Sequence, residues 1–78
     1  MSLSFEILGR IRDVEVIAEG GSLRSIDWLR REFGHGRWRK MKGVATIRYP
    51  NGQVARAELH WYEAHGIGQV DMKVKQEL

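Results

Sequence analysis

The sequence predicts an α+β fold in which a four- to five-stranded antiparallel sheet packs against a single helix. Apolar and polar residues alternate along most of the chain, which is the two-residue period of half-buried strands. Only residues 23–33 carry apolar side chains at helical spacing. A Pro-Asn-Gly turn joins two alternating segments, and strands linked by short turns favour an antiparallel meander. The expected order is β(β)αβββ, with the meander in the C-terminal half.

The first strand region covers residues 4–18 and is predicted to form either one bent strand or two short strands. Apolar residues alternate with charged residues both before and after Gly9. A glycine inside a strand pattern is typical of a bulge or a bend. We therefore place the bend of this region at Gly9.

A single helix is predicted from Leu23 to Phe33. Its apolar residues recur every three or four positions and form one stripe. Ser22 is the expected N-cap, and Gly34 is the expected C-cap because glycine tolerates a left-handed conformation. Trp28 lies off the stripe, which places it at the edge of the core or partly in solvent.

The strongest local signal is the turn at residues 49–53, where proline presets φ and glycine takes a left-handed conformation. A two-residue Asn-Gly turn would put Arg48 opposite Ala55. A type I turn with a glycine bulge instead pairs Ile47 with Ala55, and this register is preferred because a shift of one residue would mix the two faces. The preferred register gathers one apolar face: Ala45, Ile47, Tyr49, Ala55, Ala57, Leu59 and Trp61.

The opposite face of this hairpin and a last strand complete the predicted sheet. The last strand is expected around residues 70–74, where apolar and charged residues alternate. The opposite hairpin face carries Thr46, Arg48, Val54, Arg56, Glu58, His60 and Tyr62. The predicted core contains Ile7, Val14, Val16, Leu23, Ile26, Leu29, Phe33, Ile47, Leu59, Trp61, Val70, Met72 and Val74.

Composition excludes several classes of protein. A chain of 78 residues is expected to form one domain, and without cysteine it has neither disulfides nor a thiolate zinc site. No stretch approaches the roughly 20 apolar residues of a membrane span, and no pattern of a signal peptide is present. We therefore expect a soluble cytoplasmic protein that does not bind membranes. Residues 1–3 are interpreted as the remnant of an expression tag.

The uneven charge distribution predicts a polyanionic partner. Residues 1–36 hold five arginines and six acidic residues, whereas residues 37–78 hold eight basic and four acidic residues. Basic side chains interleaved with an aromatic ring suit RNA or DNA, because cations neutralise phosphates and the ring stacks on bases. The leading hypothesis is a small non-enzymatic module that binds nucleic acid or another polyanion. Its predicted contacts are Arg37, Trp38, Arg39, Lys40, Lys42, Arg48 and Arg56.

The same basic segment has a second interpretation. Trp38 could anchor the core of a strand whose basic side chains extend into water. The exposure of the polar face of the 44–62 hairpin discriminates between these interpretations. A polar face left uncovered favours a binding or catalytic role, whereas a helix lying over that face disfavours both.

A second hypothesis is a metal-independent ribonuclease. Histidine titrates near neutral pH and suits proton transfer, while arginine stabilises developing charge on a phosphate. Arg48 and Arg56 would supply that charge. Ordinary surface ion pairs explain the same residues without catalysis. The catalytic candidates are His60, Tyr62, Glu63 and His65.

No cofactor or metal site is predicted, and a third hypothesis is a homodimer or protein-interaction module. Metal binding by His35, His60, His65 and Glu63 is disfavoured, because the spacing between the second and third histidines fits neither a helical nor a strand pair of ligands. A protein partner would contact exposed aromatic residues and an edge strand.

The segments GRWRKMKG (residues 36–43) and AELHWYEAHGIG (residues 57–68) resemble a group of small uncharacterised prokaryotic proteins. The resemblance covers roughly residues 14–75, and it implies no activity because none is established for the group. The layout is also similar to that of the small ribonuclease toxins of toxin–antitoxin systems. The chain departs from those toxins because it has one helix where they usually show a helical hairpin, and it lacks their typical strand motifs.

Overall fold

The computed structural model describes residues 4–78 and shows one antiparallel sheet with one helix, which confirms the predicted α+β fold. The four strands follow each other in the sheet in chain order, β1-β2-β3-β4. No helix within the described residues is long and apolar enough to cross a membrane. The interpretation of residues 1–3 concerns residues outside the described range. The elements are β1 (Glu6–Glu19), a 3-10 turn (Gly20–Ser22), α1 (Ile26–Phe33), β2 (Arg39–Arg48), β3 (Val54–Ala64) and β4 (Gly68–Glu77).

The predicted start of the helix is wrong by one turn. Ser22 closes the 3-10 turn before α1, because its hydroxyl donates to the Glu19 carbonyl at 2.6 Å and accepts the Glu19 N–H at 3.2 Å. That hydroxyl is therefore not the cap of α1, which begins after Ser25. The predicted end is confirmed. Gly34 has a φ of 115° and its N–H donates to the carbonyl of Arg30 at 3.1 Å.

The predicted hairpin register is confirmed. Ile47 lies opposite Ala55, and Tyr49 N–H donates to the carbonyl of Gln53 at 2.9 Å. Gly52 adopts a φ of 90°, as the glycine bulge requires. Odd-numbered residues of β2 and β3 therefore share one face of the sheet, and even-numbered residues share the other.

The two edge strands, β1 and β4, are bulged. In β1, Leu8 lies opposite Thr46 but Arg12 lies opposite Val44, so three residues that begin at Gly9 face one residue of β2. The predicted bend at Gly9 is thus confirmed, with a φ of 80°. In β4, Asp71 has a φ of 54° at a second irregularity. Bulges bend a strand and allow its side chains to change faces.

Each face of the sheet carries its own apolar cluster. The odd-numbered face holds the main core, and the helix core lies at one end of the even-numbered face, where α1 packs. The main core consists of Phe5, Met41, Ala45, Ile47, Ala57, Leu59 and Trp61, with Ile7, Ile11, Tyr49, Met72 and Val74 packed against it. The helix core consists of Leu23, Leu29, Trp38 and Ala64, with Ala18, Ile26, Trp28, Tyr62, Ile67 and Val70 packed against it.

Three residues of the predicted core are exposed instead. Val14 and Val16 keep 49% and 44% of their surface accessible, because they lie on a bulged edge strand that has no neighbour on its outer side. Phe33 is 39% exposed in the last turn of α1, where its ring meets Trp28 edge-on. Trp38 was absent from the predicted core and is fully buried.

Gly43 allows β1 to lie close over the main core. A Cβ atom at this position would lie 2.5 Å from Cγ2 of Ile11 and 3.1 Å from the Trp61 ring, well inside van der Waals contact. The carbonyl of Arg12 would be at 3.1 Å. Only glycine therefore permits Ile11 to pack against β2 and Trp61 at once.

We expect Gly43→Ala to lower the free energy of unfolding by about 1–3 kcal/mol, because overpacking a close contact displaces its neighbours. Urea denaturation measures this change. Gly21→Ala is the matched control, since a Cβ at Gly21 meets nothing within 4 Å. In a double-mutant cycle, Ile11→Ala should cost less in the Gly43→Ala background than alone. Equal costs in both backgrounds would contradict the contact.

Candidate nucleic-acid interface

The even-numbered face of the sheet is covered at one end only. There Tyr62 packs against the helix core, and its hydroxyl lies 3.4 Å from the Ser25 hydroxyl. Beyond Tyr62, the face continues through His60 towards Arg56 without belonging to the helix core. The polar hairpin face is thus partly covered and mostly open.

Basic side chains from all four strands lie on this open part. The strand pairing places Lys42 opposite His60, and His60 opposite Lys73. Arg12 of β1 lies opposite Val44, on the same face. We define the basic face as Arg12, Lys40, Lys42, Arg48, Arg56, Lys73 and Lys75.

Ion pairs neutralise only part of the basic face. Arg48 pairs with Glu6, Lys42 lies 3.4 Å from Glu15, and Lys73 lies 3.5 Å from Asp71. Such exposed pairs contribute little to stability and open readily. The remaining cations have no acidic side chain within 4.0 Å among residues 4–78, so the face keeps a positive potential; they are Arg12, Lys40, Arg56 and Lys75.

Glu58 and His60 form a hydrogen-bonded pair at the centre of the basic face, with 2.8 Å between Glu58 Oε2 and His60 Nε2. This hydrogen bond lowers the pKa of Glu58 below its ordinary value; desolvation opposes it with a smaller effect, and the charges of His60, Lys42 and Lys75 add to the lowering. The other ring nitrogen of His60, Nδ1, is buried and has no hydrogen-bond partner among the described residues 4–78. It therefore has no direct path for exchanging a proton with a bound substrate.

The structure does not bring the other catalytic candidates to His60. Glu63 lies on the opposite face, where Arg39 donates to it at 2.7 Å and the Trp61 indole at 2.8 Å. His65 is exposed in the turn between β3 and β4, and the Tyr62 hydroxyl lies beside Ser25. Among residues 4–78 no three histidine, aspartate or glutamate side chains are placed to hold a metal ion.

The predicted nucleic-acid contacts divide into three groups. Lys40, Lys42, Arg48 and Arg56 meet on the basic face. Arg37 and Arg39 line a different groove at the end of the sheet. Trp38 is fully buried, and its indole N–H donates to the Gly34 carbonyl at 2.9 Å, so its ring is not available to stack on a base.

Sequence reasoning missed the contributions of the edge strands to this face. Lys73 and Lys75 alternate with apolar residues, which shows that both lie on one face of β4. The alternation cannot tell which face of the whole sheet this is, because the bulge at Asp71 moves β4 by one residue relative to β3. Arg12 was missed because β1 pairs with a strand distant in sequence, so its local alternation does not tell which face of the whole sheet Arg12 reaches.

No family model, curated protein or solved structure matches the chain. The resemblance to small prokaryotic proteins therefore stays a prediction. What distinguishes the candidate interface is its geometry, a partly open sheet face that carries more cations than its ion pairs neutralise.

We expect Trp38→Phe to lower the free energy of unfolding by about 1–3 kcal/mol, since it removes a buried hydrogen bond and leaves a cavity. Nucleic-acid affinity of the folded protein should not change. Urea denaturation and fluorescence anisotropy with labelled RNA measure the two quantities. Trp28→Phe is the control, because Trp28 is only partly buried. Weaker RNA binding with unchanged stability would instead assign Trp38 to the interface.

Glu58 should make stability depend on pH in the acidic range. Its pKa in the folded protein is lowered, so its interactions stabilise the fold above about pH 4.5 and are lost as the pH falls through the folded pKa. The difference in unfolding free energy between wild type and Glu58→Gln should therefore shrink as the pH falls below about 4.5. Glu32→Gln, which removes an exposed helix carboxylate, is the control in the same urea titrations. A pH-independent difference would contradict this role.

Proposed function

We propose that this protein is a small, non-enzymatic, cytoplasmic module that binds RNA or DNA through its basic face. The observation that carries the proposal is the convergence of basic side chains from four strands on a sheet face that α1 covers only at one end. Several of these cations have no acidic partner within 4.0 Å in the part of the chain that the structure describes. They are available to neutralise phosphates and to release the counterions that phosphates hold.

The basic face suits recognition of the nucleic-acid backbone more than recognition of bases. Its exposed groups are flexible cationic side chains, which position a phosphate chain without reading sequence. Tyr62 is the aromatic residue of this face, but it is half-buried beside Ser25, and Lys40 lies 5.8 Å from the centre of its ring. Stacking on bases therefore contributes little, and we expect weak sequence preference.

The position of His60 supports a binding role over a catalytic one. One ring nitrogen is engaged by Glu58 and the other is buried without a partner. General acid–base catalysis requires a nitrogen within reach of the proton that it transfers. The His60–Glu58 pair is better explained as a structural hydrogen bond that lies among the cations of the basic face.

Salt dependence of binding tests the proposal. Wild-type protein should bind labelled single-stranded RNA at low salt, and its affinity should fall with a log–log slope of several units between roughly 50 and 200 mM salt. Lys42→Gln combined with Lys75→Gln should weaken binding and reduce that slope by about one to two units, since each lost phosphate contact removes about 0.7 of a unit on a single strand. Fluorescence anisotropy measures both quantities.

The matched control removes the same charge from elsewhere. Arg24→Gln with Arg31→Gln also lowers the net charge by two, and both arginines are exposed outside the basic face. This variant should keep nearly all of the wild-type affinity and slope. Equal weakening by both double variants would mean that only net charge matters, which contradicts binding through the basic face. Absence of binding by wild type at low salt would overturn the proposal.

A further inference from the structure

We propose that the cleft beside the Gly9 bulge is a phosphate-binding subsite in which Arg10, Arg12 and Arg56 hold one backbone phosphate of the nucleic acid. The inference rests on the proposed function and adds to it the point where the polyanion is anchored. Arg10 and Arg12 belong to the half of the sequence that carries more acidic than basic residues. Folding brings them to the cleft that Arg56 also lines.

The cleft exists because of the bulge. Leu8 and Arg12 keep their partners in β2, while the residues between them have none in the pairing register. Strand β1 is therefore locally irregular beside Val44 and Thr46. The resulting cleft has a volume of about 460 Å³, and its walls are formed by Leu8, Gly9, Arg10, Arg12, Asp13, Val44, Ala45, Thr46 and Arg56.

The charges that line the cleft favour an anion. Its three arginines have no acidic side chain within 4.0 Å among the residues that the structure describes. Asp13 is the one acidic residue of the lining, which leaves an excess of positive charge. Thr46, whose side chain carries a hydroxyl donor, also lines the cleft.

Arginine makes this a site for phosphate in particular. A guanidinium group offers parallel N–H donors that match two oxygens of one phosphate, whereas a lysine ammonium acts as a point charge. Several guanidinium groups can therefore share the oxygens of one phosphodiester. Arg12 and Arg56 also belong to the basic face, so the strand that leaves the cleft would pass directly onto Lys42 and its neighbours.

Replacing arginine by lysine separates this subsite from general attraction between charges. Arg12→Lys combined with Arg56→Lys keeps the net charge and removes the paired donors. We expect RNA affinity to fall about tenfold while the salt slope stays at its wild-type value. Arg10→Lys alone should reduce affinity in the same direction. Fluorescence anisotropy across a salt series measures both effects, and circular dichroism confirms that each variant is folded.

The matched control is Arg24→Lys with Arg31→Lys, which makes the same chemical change at two exposed arginines outside the cleft. It should bind RNA as wild type does. Unchanged affinity of the Arg12→Lys and Arg56→Lys variant would overturn the subsite and leave the proposed function intact. Failure of wild type to bind RNA or DNA at low salt would overturn both, so the two failures are distinguishable.

Discussion

The close approach of Ile11 to Gly43 is the constraint on which the rest of the fold depends. The main core lies on the face of the sheet opposite α1, so no helix of the described chain, residues 4–78, covers it. Side chains of the edge strands cover it instead, and Ile11 can do so only because Gly43 has no Cβ. The bulges of β1 supply the bend that this packing needs. A chain of this size buries a smaller fraction of its surface than a larger domain does and is only marginally stable, so the loss of one such contact removes a large part of its stability.

The same bulges connect packing with the candidate function. At the irregularity that begins at Gly9, Ile11 lies over the main core and Arg12 lies on the opposite face. It also opens the cleft that Arg10, Arg12 and Arg56 line. In β4, the bulge at Asp71 directs Val74 to the main core while Lys73 stays beside His60. Bulged edges therefore cover one face with apolar groups and supply the other with cations.

Much of the central hairpin was predictable because its signals are local. The turn at residues 49–53 limits the register, and the apolar pattern of β2 and β3 then selects one pairing. Arg48 and Arg56 were placed correctly on one face for this reason. The core of β1 and the start of α1 were not predictable in the same way. Val14 and Val16 alternate as core residues do, yet they lie on an edge, and Ser22 is used by the preceding turn.

By itself, the sequence determined the fold class, the hairpin register, and the separation of apolar and charged faces in the central strands. Each follows from a periodicity or a turn spanning a few neighbouring residues. The tertiary structure alone decided that Trp38 is buried beneath α1 and that the edge strands contribute Arg12, Lys73 and Lys75 to the basic face. The physical reason is that an edge strand takes its faces from its pairing with a distant strand, and one extra residue, as at Asp71, reverses the side chains that follow it. Only the packing of the whole sheet determines where such a residue is accommodated.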